Sequence, residues 1–82
     1  MYTVRRFLSK YRKGSDRPET EEIDLSNMTL QVLQGIFGQP ETEPMYSVYV
    51  VEPRHAKALQ PYISEPLDVQ QFEYFLEVEA IK

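Results

Sequence analysis

The sequence predicts an α+β domain of order ββαβαβ, a four-stranded and mostly antiparallel sheet with two helices packed on one face. Three observations predict it. Residues 72–81, Phe72-Glu73-Tyr74-Phe75-Leu76-Glu77-Val78-Glu79-Ala80-Ile81, alternate with period two. Phe72, Tyr74, Leu76, Val78 and Ala80 share one strand face, while Glu73, Phe75, Glu77, Glu79 and Ile81 share the other. Two short segments between strand-like runs carry helix start and stop signals. The chain has 82 residues, no internal repeat and no low-complexity tract, so residues 1–82 form a single domain.

The elements follow in order. Tyr2 to Lys10 is strand-like, with Val4 and Leu8 on one side and Arg5, Phe7 and Ser9 on the other. Arg6 falls on the apolar side, which predicts either an edge strand or a bulge. Lys13-Gly14-Ser15-Asp16-Arg17-Pro18 is a turn cluster. Glu19 to Leu25 alternates again, so a hairpin of a basic and an acidic strand is expected. Ser26 or Asn27 is positioned to cap a helix with the apolar stripe Leu30, Leu33, Ile36 and Phe37. Gly35 keeps it short, Gly38 supplies a left-handed stop and Pro40 prevents resumption.

Met45 to Val51 is a third strand, with Tyr46, Val48 and Val50 on one face and Met45, Ser47, Tyr49 and Val51 on the other. Its near-continuous apolar run predicts an interior place in the sheet. Pro53 opens a second helix at its first position, with Ala56, Leu59 and Tyr62 or Ile63 as its buried side and Pro61 stopping it near Gln60. Asp68 to Gln71 leads into the last strand.

Composition narrows the function. There is no cysteine, which removes disulfides and thiolate zinc sites and suits a reducing cytosol. No apolar run reaches about 18 residues and no signal-peptide core is present, so neither a membrane span nor a secretory address is expected. The net charge of −4 is split. Residues 1–18 hold Arg5, Arg6, Lys10, Arg12, Lys13 and Arg17 against Asp16, a net of +5; residues 19–82 hold twelve acids against Arg54, Lys57 and Lys82, a net of −9. Such halves either attract two kinds of partner or neutralise each other within the fold.

Catalytic chemistry is thinly represented. His55 is the one histidine, placed in the charged Arg54-His55-Ala56-Lys57 turn and expected to be exposed. No serine sits in a strand–turn–helix elbow, and Gly14, Gly35 and Gly38 form no phosphate loop. Glu77 and Glu79 have the spacing of a carboxylate pair, about 6.5–7 Å between α-carbons, yet a small sheet face offers no cleft and no third metal ligand. No catalytic residue, metal site or cofactor is predicted. The open face carries more promise as a binding surface: Tyr49 and Phe75 read as an outward aromatic pair among Glu73, Glu77 and Glu79. Interleaved basic and aromatic residues, Arg5, Arg6, Lys10, Arg12 and Lys13 with Tyr2, Phe7 and Tyr11, leave a nucleic-acid-binding hairpin as an alternative, opposed by the acidic remainder. A homodimer built on the open face or an edge strand is a further alternative.

From Ile23 onward the chain resembles the immunity proteins of contact-dependent growth inhibition and related polymorphic toxin systems. The similar elements are Ile23-Asp24-Leu25, Leu33-Gln34-Gly35-Ile36-Phe37-Gly38, Pro44-Met45-Tyr46, Ala58-Leu59-Gln60-Pro61-Tyr62 and Phe72-Glu73-Tyr74-Phe75-Leu76-Glu77. The basic residues 1–18 lie outside it. The resemblance implies a cytoplasmic, non-enzymatic bacterial antitoxin that binds the toxic C-terminal domain, often a nuclease, of a cognate effector. Glu73, Glu77 and Glu79 would then meet basic groups of the toxin, Tyr49 and Phe75 would form the apolar centre, and Glu41 and Glu43 would extend the rim.

Overall fold

The computed structural model describes residues 3–19 and 21–81. Tyr2, assigned above to the first strand, and Thr20, assigned to the second, lie outside the described residues. The first and last strands form the centre of the sheet: β1 (Thr3–Arg12) and β4 (Phe72–Ile81) run antiparallel and pair along their whole length, from Thr3 opposite Ile81 to Arg12 opposite Phe72. β2 (Ile23–Asp24) flanks β1 and β3 (Tyr49–Val51) flanks β4, giving the order β2-β1-β4-β3 with every pairing antiparallel. The helices α1 (Leu30–Ile36) and α2 (Pro53–Leu59) supply the second layer. This is the α+β fold of order ββαβαβ read from the sequence.

Residues directly opposite in a ladder share a face. Leu8, Leu76 and Tyr74 therefore line one face, and with Ile23, Leu25, Leu33, Phe37, Met45, Val51, Ala56 and Leu59 they form the core under the helices. The phenol of Tyr74 is the polar exception on that face, and it is satisfied by accepting a hydrogen bond from the Asp68 backbone N–H at 3.1 Å. Arg6 also lies on the covered side, but neither an edge nor a bulge explains it. β1 is central and its register with β4 is unbroken. The side chain instead reaches past the core to donate to the Pro44 carbonyl at 2.9 Å, an example of a long basic stem laid along apolar surface.

The hairpin between β1 and β2 is shorter than its alternation implied. Among the described residues only Ile23 and Asp24 pair regularly, although Tyr11 and Pro18 form an isolated bridge and Gly14 takes the left-handed turn at φ 85°. Helix α1 starts later than expected. Met28 N–H closes a turn onto the Leu25 carbonyl and its side chain is buried, so Ser26 and Asn27 stand outside the helix. Thr29 is the cap, its hydroxyl accepting from Val32 N–H at 3.2 Å. The stop is as expected: Gly38 sits at φ 67°, with Gly38 N–H donating to Gly35 and Gln39 N–H to Gln34, the paired bonds of a Schellman ending. Pro53 is at the start of α2, and a 3₁₀ turn, Gln60–Tyr62, carries the chain away from it.

The third strand departs most from expectation. It is an edge strand, three residues long, and not an interior one. The apolar run is divided at Met45, which adopts a left-handed φ of 56° and drops its side chain fully into the core. Residues 45–48 consequently form irregular chain rather than strand, while Tyr46, Val48 and Val50 remain exposed.

Candidate functional site

The uncovered face of the sheet is built from the odd-numbered residues of the central pair: Arg5, Phe7, Ser9 and Tyr11 of β1 against Glu79, Glu77, Phe75 and Glu73 of β4. Ser9, opposite Phe75, is the small residue among large ones, and the Tyr11 and Phe75 rings close beside it edge to face. Together with Val48 and the hairpin residues Ser15 and Asp16, these rings line a shallow hollow of about 380 Å³. Its charged groups are Asp16, Glu73 and Glu77, all acidic, and none of the ion pairs among the described residues engages them. An apolar floor with carboxylates at the rim is suited to a cationic or amphipathic protein segment.

The other end of this face is self-satisfied. Arg5 lies on the Phe7 ring, its guanidinium carbon 4.3 Å from the centroid, and bonds Glu22 at 2.8 Å and Glu79 at 2.7 Å. The hydrogen bonds that the guanidinium donates to Glu22 and then to Glu79 hold it above its ordinary pKa. This arrangement covers Phe7 and ties Glu22, the residue before β2, to Glu79 of β4 across β1. The basic and acidic halves of the chain thus neutralise each other here.

Of the residues singled out in the sequence, Glu73, Phe75 and Glu77 come together in the hollow. Glu79 is turned to Arg5. Tyr49 is not on this face: it pairs opposite Leu76, on the covered side, and packs against Phe37 with ring centroids 5.6 Å apart. Burial, followed by the nearby Glu43 charge, raises its phenol above the ordinary value. The predicted Tyr49–Phe75 pair therefore does not exist; Val50 is the β3 residue opposite Phe75, and Tyr11 is its aromatic partner. Glu41 and Glu43 stay outside the hollow as well. Their carbonyls accept from the buried Gln34 amide at 3.2 and 2.7 Å, and the Glu43 carboxylate accepts from Met45 N–H at 2.9 Å. The loop is thereby drawn to the end of α1.

Sequence reasoning missed Tyr11, Val48 and Val50 as surface partners of Phe75. Tyr11 was visible as the odd-numbered member of a strand whose Leu8 faces the core. The β3 residues carried no such signal, because both of that strand's faces are apolar.

The expectation for His55 also fails. The residue is 7% exposed, its ring 4.5 Å from that of Phe37. Its Nδ1 accepts from Glu52 N–H at 3.1 Å, half of a reciprocal capping box at the start of α2. That is a structural role. Among the described residues no group of three His, Asp or Glu side chains is placed to hold a metal ion, and no helix is long and apolar enough to cross a membrane.

Most of the basic residues of β1 are separated from its aromatic residues by the strand itself. Arg6, Lys10 and Arg12 lie on the covered side and Phe7 and Tyr11 on the other. Lys10 and Arg12 stack on Phe72, at 4.2 and 4.9 Å from its centroid, and Lys10 bonds Glu65 at 3.3 Å. The β1 cation that does share the face of Phe7 and Tyr11 is Arg5, and it is laid on the Phe7 ring and bonded to Glu22 and Glu79 within the fold.

Residues 5–77 match a family described as "Domain of unknown function (DUF7683)". No curated protein matches the chain at a significant level.

Proposed function

The chain belongs to the DUF7683 family, and for this member we propose a non-enzymatic binding role, as an immunity protein that neutralises the toxic C-terminal domain of a cognate bacterial effector in the cytoplasm. One observation carries the reading: an aromatic, apolar hollow on the uncovered sheet face whose charged groups are all carboxylates outside the ion pairs formed among the described residues. A nuclease toxin presents a cationic cleft to phosphate. A rigid face of this kind complements such a cleft, steering the encounter through charge and holding the complex through the buried rings. The resemblance from Ile23 onward supplies the biological setting; the hollow supplies the physical means.

The test is co-expression with the toxic C-terminal domain of an effector encoded beside the gene. Growth should be protected and the two chains should elute as one complex. The Glu73→Lys, Glu77→Lys double variant should remain folded yet bind at least about tenfold more weakly at low salt. Failure of the wild-type chain to protect or to bind removes the inhibitory reading.

A further inference from the structure

The strand order leaves two edges, and they differ. β2 is two residues long, with Glu21, Glu22 and Asp24 on or beside it, the charged protection that natural edges carry. β3 reads Tyr49-Val50-Val51, with no charge, proline or bulge within it. Val48 and Val50 are each 60% exposed and Tyr46 is 57% exposed. β3 is at the edge of the sheet, so one side of its backbone faces away from β4, and no backbone hydrogen bond outside the sheet engages Tyr49, Val50 or Val51 among the described residues. The hollow adjoins this same edge, since Val48 lines it and Val50 stands opposite Phe75.

We propose that the free edge of β3 receives an extended segment of a basic protein partner as an additional strand. An apolar side chain of that segment packs on Val48 and Val50 at the rim of the hollow, and a lysine or arginine, long enough to cross β3, reaches toward Glu73 and Glu77. The proposal rests on the protein-binding reading above and identifies how the partner is held. Strands lie about 4.8 Å apart and every second side chain shares a face, so a strand beside Val50 presents alternate residues on the side of Phe75. Main-chain bonds would give affinity and the alternate side chains would give selectivity.

Charge selects the occupant. The hollow is acidic throughout, and farther along the edge Lys13 stands among Glu52 and Glu73. A second copy would set two such acidic rims together, on chains of net charge −4. A segment alternating basic and apolar residues has the complementary pattern.

The test uses amide hydrogen exchange of the full chain with a short peptide alternating lysine and valine, and with its glutamate counterpart. The basic peptide should slow exchange at Tyr49–Val51, and the acidic one should not. Val50→Lys, or Glu73→Lys with Glu77→Lys, should weaken binding about tenfold or more; Glu21→Lys, on the other edge, should leave it unchanged. No protection at saturating basic peptide, equal protection by the acidic one, or protection centred on Ile23–Asp24 overturns the proposal. So does equivalent protection by a single-stranded oligonucleotide, or by raising the protein concentration alone, which would assign the edge to nucleic acid or to a second copy. Neutralisation of a toxin by Val50→Lys at wild-type potency removes the edge but keeps the inhibitory role. Peptide protection by a chain that neutralises no toxin keeps the edge and removes that role.

Discussion

The rings of Tyr11 and Phe75 meet on the uncovered face of the sheet at 5.5 Å between centroids and an interplanar angle of 88°. They join the two central strands on the side that has no helices. An edge-to-face pair contributes about 0.5–1.5 kcal/mol beyond its buried area, so the contact stabilises the fold modestly while keeping apolar surface available. Phe75→Ala should weaken binding to a partner by about 2 kcal/mol, the scale of an interface anchor. Its effect on unfolding should be smaller than its effect on binding. Titration calorimetry and thermal melts on the same samples separate the two quantities, and a loss of stability without loss of affinity would place the interface elsewhere.

The glutamates of β4 should not behave alike. Glu73 and Glu77 stand at the hollow outside the ion pairs, whereas Glu79 is bonded to Arg5. Reversing Glu73 and Glu77 to lysine should slow association, steepen no unfolding transition and leave the melting temperature near wild type. Glu79→Lys should do the opposite. It removes one of the two carboxylates that hold Arg5 over Phe7 and sets a second cation beside the guanidinium. Its melting temperature should fall, and added salt should recover part of the loss by screening the repulsion. Stopped-flow association and thermal melts at two salt concentrations read both effects.

The contrast between those residues shows what sequence patterning could and could not reveal. Tyr74, Leu76 and the glutamates of β4 were legible because one face is apolar and the other is charged, so the alternation has only one sensible placement. Tyr49 was not legible: both faces of residues 45–51 are apolar, and only its register opposite Leu76 decides which way it points. Met45 required a left-handed backbone at a non-glycine residue, a conformation that core burial sustains and local sequence does not announce. Gln34 and Gln60 act through loops; Gln60 donates to the Ile63 and Glu65 carbonyls and accepts from Leu67 N–H. No periodicity reports such contacts.

His55 makes a prediction of its own, because its signal was present in Glu52-Pro53-Arg54-His55 and was masked by the charges around it. Its Nδ1 caps the Glu52 N–H, and its ring is packed on Phe37. His55→Ala should cost about 1–2 kcal/mol, typical of a lost cap, with further loss from the vacated volume. His55→Gln restores an acceptor at the same helical position and should recover part of the cap but not the ring packing. Chemical denaturation of the three proteins orders them as wild type, Gln and Ala. Equal stability of wild type and Ala would remove the capping role.

Tyr49 provides a pH-dependent test of the covered face. Its phenol is raised above the ordinary value of 10.0, first by burial and then by the Glu43 charge. In the unfolded chain it ionises near that ordinary value, at about 10. The native state therefore holds the proton more tightly than the unfolded state. The associated stability is fully present below about pH 10 and is lost as pH rises through the folded value, since the unfolded state gains by ionising first. Ultraviolet titration of wild type minus Tyr49→Phe should isolate one late-ionising phenol among the six tyrosines. Glu43→Gln keeps an oxygen able to accept from Met45 N–H but removes the charge, so it should move the Tyr49 midpoint downward without returning it fully to the ordinary value, because burial is the larger cause. A Tyr49 midpoint at the ordinary value in the wild-type protein would contradict its placement beside Phe37, under the helices.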